Sequence, residues 1–294
     1  MQSMKRRKTA RSFGWFRLPQ QKGNLLGLIL ETGYSLPGSD QPMTHARIAH
    51  AGNWETPSVI TASTTDADFF ADAPDNSLTY EKWKPTTLPA DWEADYGANV
   101  TVDYCVIGAH TLGTDGCNIK VQKWDGVSAW VDIIGTTAIS TDEPIMAIFA
   151  PVTIDELRVR VTSGTSNPEI GVIKFGSFLQ MARPIYGGHS PMNMSRQTTM
   201  RQNISETGEW LGRTKQRTSL RGSFAWQHLS ATWVRANWPL FQKSIETEPF
   251  FIAWRPDTFD DVSLCWSDAT PIPTNMGVKD LMAVTLNATG YGYD

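Results

Sequence analysis

Apolar and polar residues alternate with a period of two over much of the chain, the spacing of half-buried β-strands. Glu156–Thr162 (ELRVRVT) shows the pattern plainly. Leu157, Val159 and Val161 fall on one face, Arg158 and Arg160 on the other. Asn118–Val131 alternates on both sides of Asp125-Gly126, a turn dipeptide, and predicts a hairpin. Val100–His110, Ile170–Phe178, Phe250–Trp254 and Leu281–Asn287 are short apolar runs that read as buried strands. Only Ser230–Ile245 has helical spacing, through Trp233, Trp238, Phe241 and Ile245. Ser230 is its expected N-cap, and Pro239 is expected to kink the helix or begin a second one. Short strands broken by Gly, Pro, Asp and Asn, without βαβ alternation or a fixed repeat, predict an all-β chain.

Charge divides that chain. Residues 1–54 hold eight Lys/Arg and two Asp/Glu, residues 55–180 seven and eighteen, residues 181–294 eleven and ten. An acidic middle between basic flanks predicts one domain inserted into another. The expected division is a basic arm at 1–17, a split β-barrel or sandwich domain at 18–45 and 180–294 with the helix at 230–245, and a β-sandwich jelly roll at 46–179, expected to fold alone. A chain of 294 residues, 40% hydrophobic and 19% charged, has the length for two domains and the apolar content for real cores.

The net charge of −4 gives no whole-molecule signal for nucleic acid. Lys5, Arg6, Arg7, Lys8 and Arg11 read as an arm ordered against an acidic neighbouring subunit. No apolar stretch follows them, as a secretory signal would require. The longest apolar runs, such as Leu25–Leu30, fall far short of the ~20 residues of a membrane span. A soluble protein made in a cytoplasm is expected. Cys105, Cys117 and Cys265 are odd in number and lack a CxxC pair, so no disulfide scaffold is expected.

Two resemblances refine this reading. Ile60-Thr61-Ala62-Ser63, then Leu78, Thr79 and Trp83, the turn Asp95-Tyr96-Gly97, VDYCVIGAHTLG, and the ELRVRVT and GVIKFG strands follow one another as in galactose-binding-like (discoidin, F5/8-type) jelly rolls. The chain resembles that family over residues 45–178. EPFFIAWRPDTFDDVSLCW and the closing LMAVTLNATGYGYD are similar to the ends of distal tail and baseplate proteins of long-tailed bacteriophages. Ser195–Ser223 resembles a hairpin exchanged between subunits of a tail ring.

Together the resemblances imply a non-enzymatic structural component of a phage tail tip or baseplate. It would be made in the host cytoplasm and built into the virion as a hexameric or trimeric ring against other tail proteins. Arg196, Arg201, Arg213, Lys215, Arg217 and Arg221 would face the neighbouring copy. The alternative is a lectin-like receptor-binding protein that holds host glycan. An accessory module of a glycan-degrading enzyme is a third reading.

Candidate chemistry is sparse. GxSxG, HExxH and P-loop patterns are absent, and the five histidines have no metal-ligand spacing. Asp66, Asp68, Asp72 and Asp75 are the candidate oxygen ligands for a structural Ca²⁺, though without EF-hand spacing. Trp54, Trp83 and Trp92, with Asn118 and Arg158, are the candidate sugar contacts, since sugars stack on aromatic faces and need polar partners. Trp83 is equally a candidate core plug.

Overall fold

The computed structural model describes residues 27–277 and 279–292; the expected basic arm at 1–17 lies outside them. The chain order is β1 (Leu28–Leu30), β2 (Arg47–His50), β3 (Val59–Ala62), β4 (Ala90–His110), β5 (Asn118–Trp124), β6 (Trp130–Ala138), β7 (Ile145–Ser163), β8 (Ile170–Gly176) and β9 (Leu179–Gln180). There follow β10 (Arg196–Ile204), β11 (Trp210–Ser230), α1 (Ala231–Ser244), β12 (Phe250–Ala253), β13 (Val262–Ser267), β14 (Thr274–Asn275) and β15 (Leu281–Gly290). The fold is all-β with one α-helix among the described residues.

The first sheet runs β3-β4-β7-β5-β6, with β1 on β7 and β8 on β4. It closes on itself as a sandwich because β4 and β7 are long and their pairing breaks register in the middle, at Asp95/Val100 and Val102/Tyr104. A bulge bends a strand and lets its two halves serve two layers. Ala90, Trp92 and Ala94 from the first half of β4 therefore share one core with Cys105 and Ile107 from the second. The Asp95-Tyr96-Gly97 turn is this bend rather than a strand end. Gly97 takes φ 69°, and Asp95 Oδ1 accepts its N–H at 2.7 Å.

The second sheet runs β10-β11-β15-β13-β12-β2-β9, with β14 on β15. Strand alternation gives it two buried faces. Ile48, Phe250, Ile252, Cys265 and Leu286 pack with Val234, Trp238 and Phe241 of α1. Ala49, Phe251, Ala253 and Leu264 point the other way, onto Tyr104, Val106, Met146 and Val172 of the sandwich. This shared layer joins the two sheets. Gly108 permits the contact, since a Cβ there would come within 2.9 Å of the Phe251 ring.

Two strands sort differently from the expected boundaries. Leu28–Leu30 pairs in parallel with Met146–Ile148 of the sandwich, whereas Arg47–His50 pairs with Phe250–Ala253 of the other sheet. The chain crosses between the domains once more than a simple insertion requires. Two local expectations also change. Asp125-Gly126 opens a wider loop, in which Asp125 Oδ1 accepts the N–H groups of Val127, Ser128 and Ala129 at 2.7–3.0 Å. The helix starts as expected, with the Trp233 N–H donating to Ser230 Oγ at 3.2 Å, but it continues through Pro239 to Ser244.

Candidate functional site

The five proposed sugar contacts do not converge. Trp83 and Trp92 are fully buried in the sandwich core, and their indole N–H groups donate to the carbonyls of Thr64 (3.0 Å) and Ala71 (2.8 Å). Neither ring face is open to a ligand. Arg158 lies on the opposite face of its sheet. It donates to Gln122 Oε1 at 2.7 Å and Glu93 Oε1 at 3.1 Å, and its guanidinium lies 4.3 Å from the Trp130 ring centre. Asn118 donates to Ser163 Oγ at 3.0 Å. Trp54 alone reaches a cleft.

The four aspartates do not converge either. Asp66 accepts the Asp68 N–H, Asp72 precedes the short 3₁₀ turn Ala73–Asp75 without capping it, and Asp75 pairs with Lys174 Nζ at 2.7 Å. Among the described residues no three His, Cys, Asp or Glu side chains gather as a metal site.

His50, His110 and the three cysteines are buried. The Leu112 N–H donates to His110 Nδ1 at 3.3 Å, so Nε2 carries the proton and donates to the Glu143 carbonyl at 2.8 Å. Burial pushes His110 and His50 down to about 4. The three cysteines are free and buried, and burial raises each thiol.

The basic hairpin is where the molecule departs from a packed domain. β11 joins β15 only from Leu220 onward, so, among the described residues, 210–219 pair with β10 alone. Nine residues at ~3.3 Å each make a two-stranded arm roughly 30 Å long. Met200, Ile204, Trp210 and Leu211 are exposed along it. Arg201, Arg213, Lys215 and Arg217 lie on the arm itself, whereas Arg196 and Arg221 sit at its root, opposite Leu220 and Thr289. Arg213 lies 6.0 Å from the Trp210 ring centre and 3.3 Å from Met200 Sδ.

A cleft of about 870 Å³ opens between the domains. The sandwich contributes Trp54, Glu55 and the loop 75–80; the second domain contributes residues 246–249 and Trp266. Tyr80 is 74% exposed and Trp266 43%, so aromatic faces remain open. The Lys174 ammonium, buried at the cleft wall, is held by the Asp75 carboxylate and carbonyl and lies 5.2 Å from the Trp54 ring centre. Sequence reading missed Tyr80, Trp266, Glu246 and Glu248, because the cleft is assembled from loops far apart in the chain. One signal was present. Glu246 and Glu248 directly follow α1, where the negative end of the helix dipole disfavours carboxylates.

No family model matches the chain, and no curated protein matches it. Solved structures similar to it include a pectin-binding carbohydrate-binding module, at 13% identity and a TM-score of 0.37 over 41% of this chain and 91% of that one. Another is the family 32 module of C. perfringens NanJ in complex with galactose, at 11% identity and a TM-score of 0.36 over 42% and 97%. The family 32 module of AlyQ in complex with 4,5-unsaturated mannuronic acid is similar at 12% identity and 0.37 over 42% and 96%. At these identities and scores a shared ligand does not follow. Among the described residues no helix is long and apolar enough to cross a membrane.

Proposed function

We propose that this chain is a non-enzymatic assembly protein of a long-tailed phage tail tip or baseplate, forming a homo-oligomeric ring within the virion against other tail proteins. The observation that carries this reading is the arm of residues 196–219. A two-stranded hairpin without a packed face is marginally stable in water. An edge strand left open invites pairing with another chain. Among the described residues this arm has both properties, and it displays Met200, Ile204, Trp210 and Leu211 among its arginines. A second chain laid on it buries those side chains and completes the sheet.

The lectin-like alternative cannot use Trp83 and Trp92, whose faces are buried, and falls to the cleft, where Trp54, Tyr80 and Trp266 stand among polar groups. Purified phage tails test the assembly reading. The protein is expected in them in several copies per tail, detected by quantitative mass spectrometry. Its absence, or strong binding of a glycan by a protein that stays monomeric at every concentration, contradicts the reading.

A further inference from the structure

We infer that the inter-domain cleft is the socket for the arm of a second copy of this chain; the inference rests on the assembly reading and names the surface that receives the arm. Glu55, Glu246 and Glu248 line the cleft together with Tyr80 and Trp266. Carboxylates beside open aromatic faces form a cation-recognition arrangement, because the ring quadrupole and the carboxylate both attract guanidinium and ammonium groups. Among the described residues, the one cation lining the cleft, Lys174, is already committed to Asp75.

The complementary group is present in the same sequence. Arg213, on β11, stands on an arm that also exposes Trp210 and Leu211. Apolar anchors with arginines match a concave wall of aromatics and carboxylates, and such complementarity fixes partner and register. The position of two of the carboxylates points the same way. Glu246 and Glu248 lie just past the C-terminal end of α1, whose last turn carries one cation, Lys243, so a further cation laid against them is favoured there. Within the chain no ion pair is formed by Glu246 or Glu248 among the described residues. An arm from another copy supplies that cation.

Cysteine cross-linking of the full chain tests the socket, and the three native cysteines are buried and give little background. One preparation carries Glu248→Cys and a second, differently tagged, carries Arg213→Cys; they are mixed over a concentration series and oxidised in air. The expected result is a disulfide-linked heterodimer, formed at least tenfold faster than with Thr137→Cys as the control acceptor. In parallel, the charge reversal Glu246→Lys with Glu248→Lys is expected to weaken self-association at least tenfold, and Arg213→Glu is expected to restore it. Sedimentation separates the two claims. An oligomer whose arm cross-links as fast to the control site overturns the socket and leaves the assembly reading standing. A chain that is monomeric throughout, both free and in purified tails, overturns both. A neutral oligosaccharide whose binding is lost in Trp266→Ala, with no cross-link to Glu248→Cys, makes the cleft a glycan site and overturns the socket.

Discussion

Trp83 shows how one side chain ties the sandwich together. Its ring is fully buried, its N–H reaches the Thr64 carbonyl, and its backbone exchanges hydrogen bonds with Ile170 at 2.9 Å in both directions. Removing a large buried aromatic costs about 3–5 kcal/mol. Trp83→Ala is therefore expected to lower stability by that amount in chemical denaturation of the full chain; an unchanged midpoint contradicts the core role.

Asp103 gives a second test at the same scale. Burial lifts its carboxyl to about 7, against the opposing pull of the Phe178 N–H, which donates to Asp103 Oδ1 at 3.0 Å, and of Arg47. A carboxyl whose folded value is raised binds its proton more tightly folded than unfolded. Its contribution is fully present below the ordinary value near 3.8 and is lost as pH rises to about 7. Asp103→Asn, which keeps an acceptor for Phe178, is expected to be more stable than the parent at pH 8 by about 2–4 kcal/mol. The advantage is expected to vanish near pH 4. Denaturation at both pH values checks this, and an equal effect at both contradicts it.

At the scale of elements, the arm is an addition to the fold rather than part of it. Residues 196–219 are absent from the apolar cores, which the hairpin enters only from Leu220 onward. Replacing 197–218 by a short turn is expected to leave the melting temperature within a few degrees and to abolish self-association in sedimentation. Loss of the fold in that variant contradicts the account. Contacts between exposed charges also weaken as the screening length falls from ~10 Å at 0.1 M salt to ~3 Å at 1 M. The association is expected to be correspondingly weaker at 1 M salt.

Elements of this kind were legible in the sequence wherever period and burial coincide. ELRVRVT could only place Leu157, Val159 and Val161 inward, and all three are buried. Ser230 capped the helix as its hydroxyl predicts. Pairing partners were not legible. Nothing local tells Leu28–Leu30 to join β7 or Arg47–His50 to join β12, because both runs are simply apolar and short; tertiary packing decides. Trp83 and Trp92 proved to be core residues for a related reason. A tryptophan near a predicted loop satisfies its N–H equally well from a buried carbonyl, as Trp83 and Trp92 do. The cleft was illegible because Tyr80 and Trp266 are brought together only by the docking of two domains.

The whole molecule is layered. The sandwich rests on a sheet that is itself buried on both faces, and α1 covers the far side. Tyr104, Val106, Met146 and Val172 would face water if the sandwich were cut away at 46–179, and such a fragment would also lack β1. At ~25 cal/mol per Å², uncovering a large side chain costs about 1.5–3 kcal/mol. Against the sequence expectation that 46–179 folds alone, the isolated fragment is therefore expected to aggregate, and the full chain to melt in one calorimetric transition; two resolved transitions contradict that. A projecting arm suits a ring in which each copy grips the next. An electron cryomicroscopy reconstruction of the assembled tail measures this most directly. The account predicts that the arm of residues 196–219 of each copy crosses onto the adjacent copy. An arm that packs only against its own subunit, or a tail that lacks the protein altogether, contradicts it.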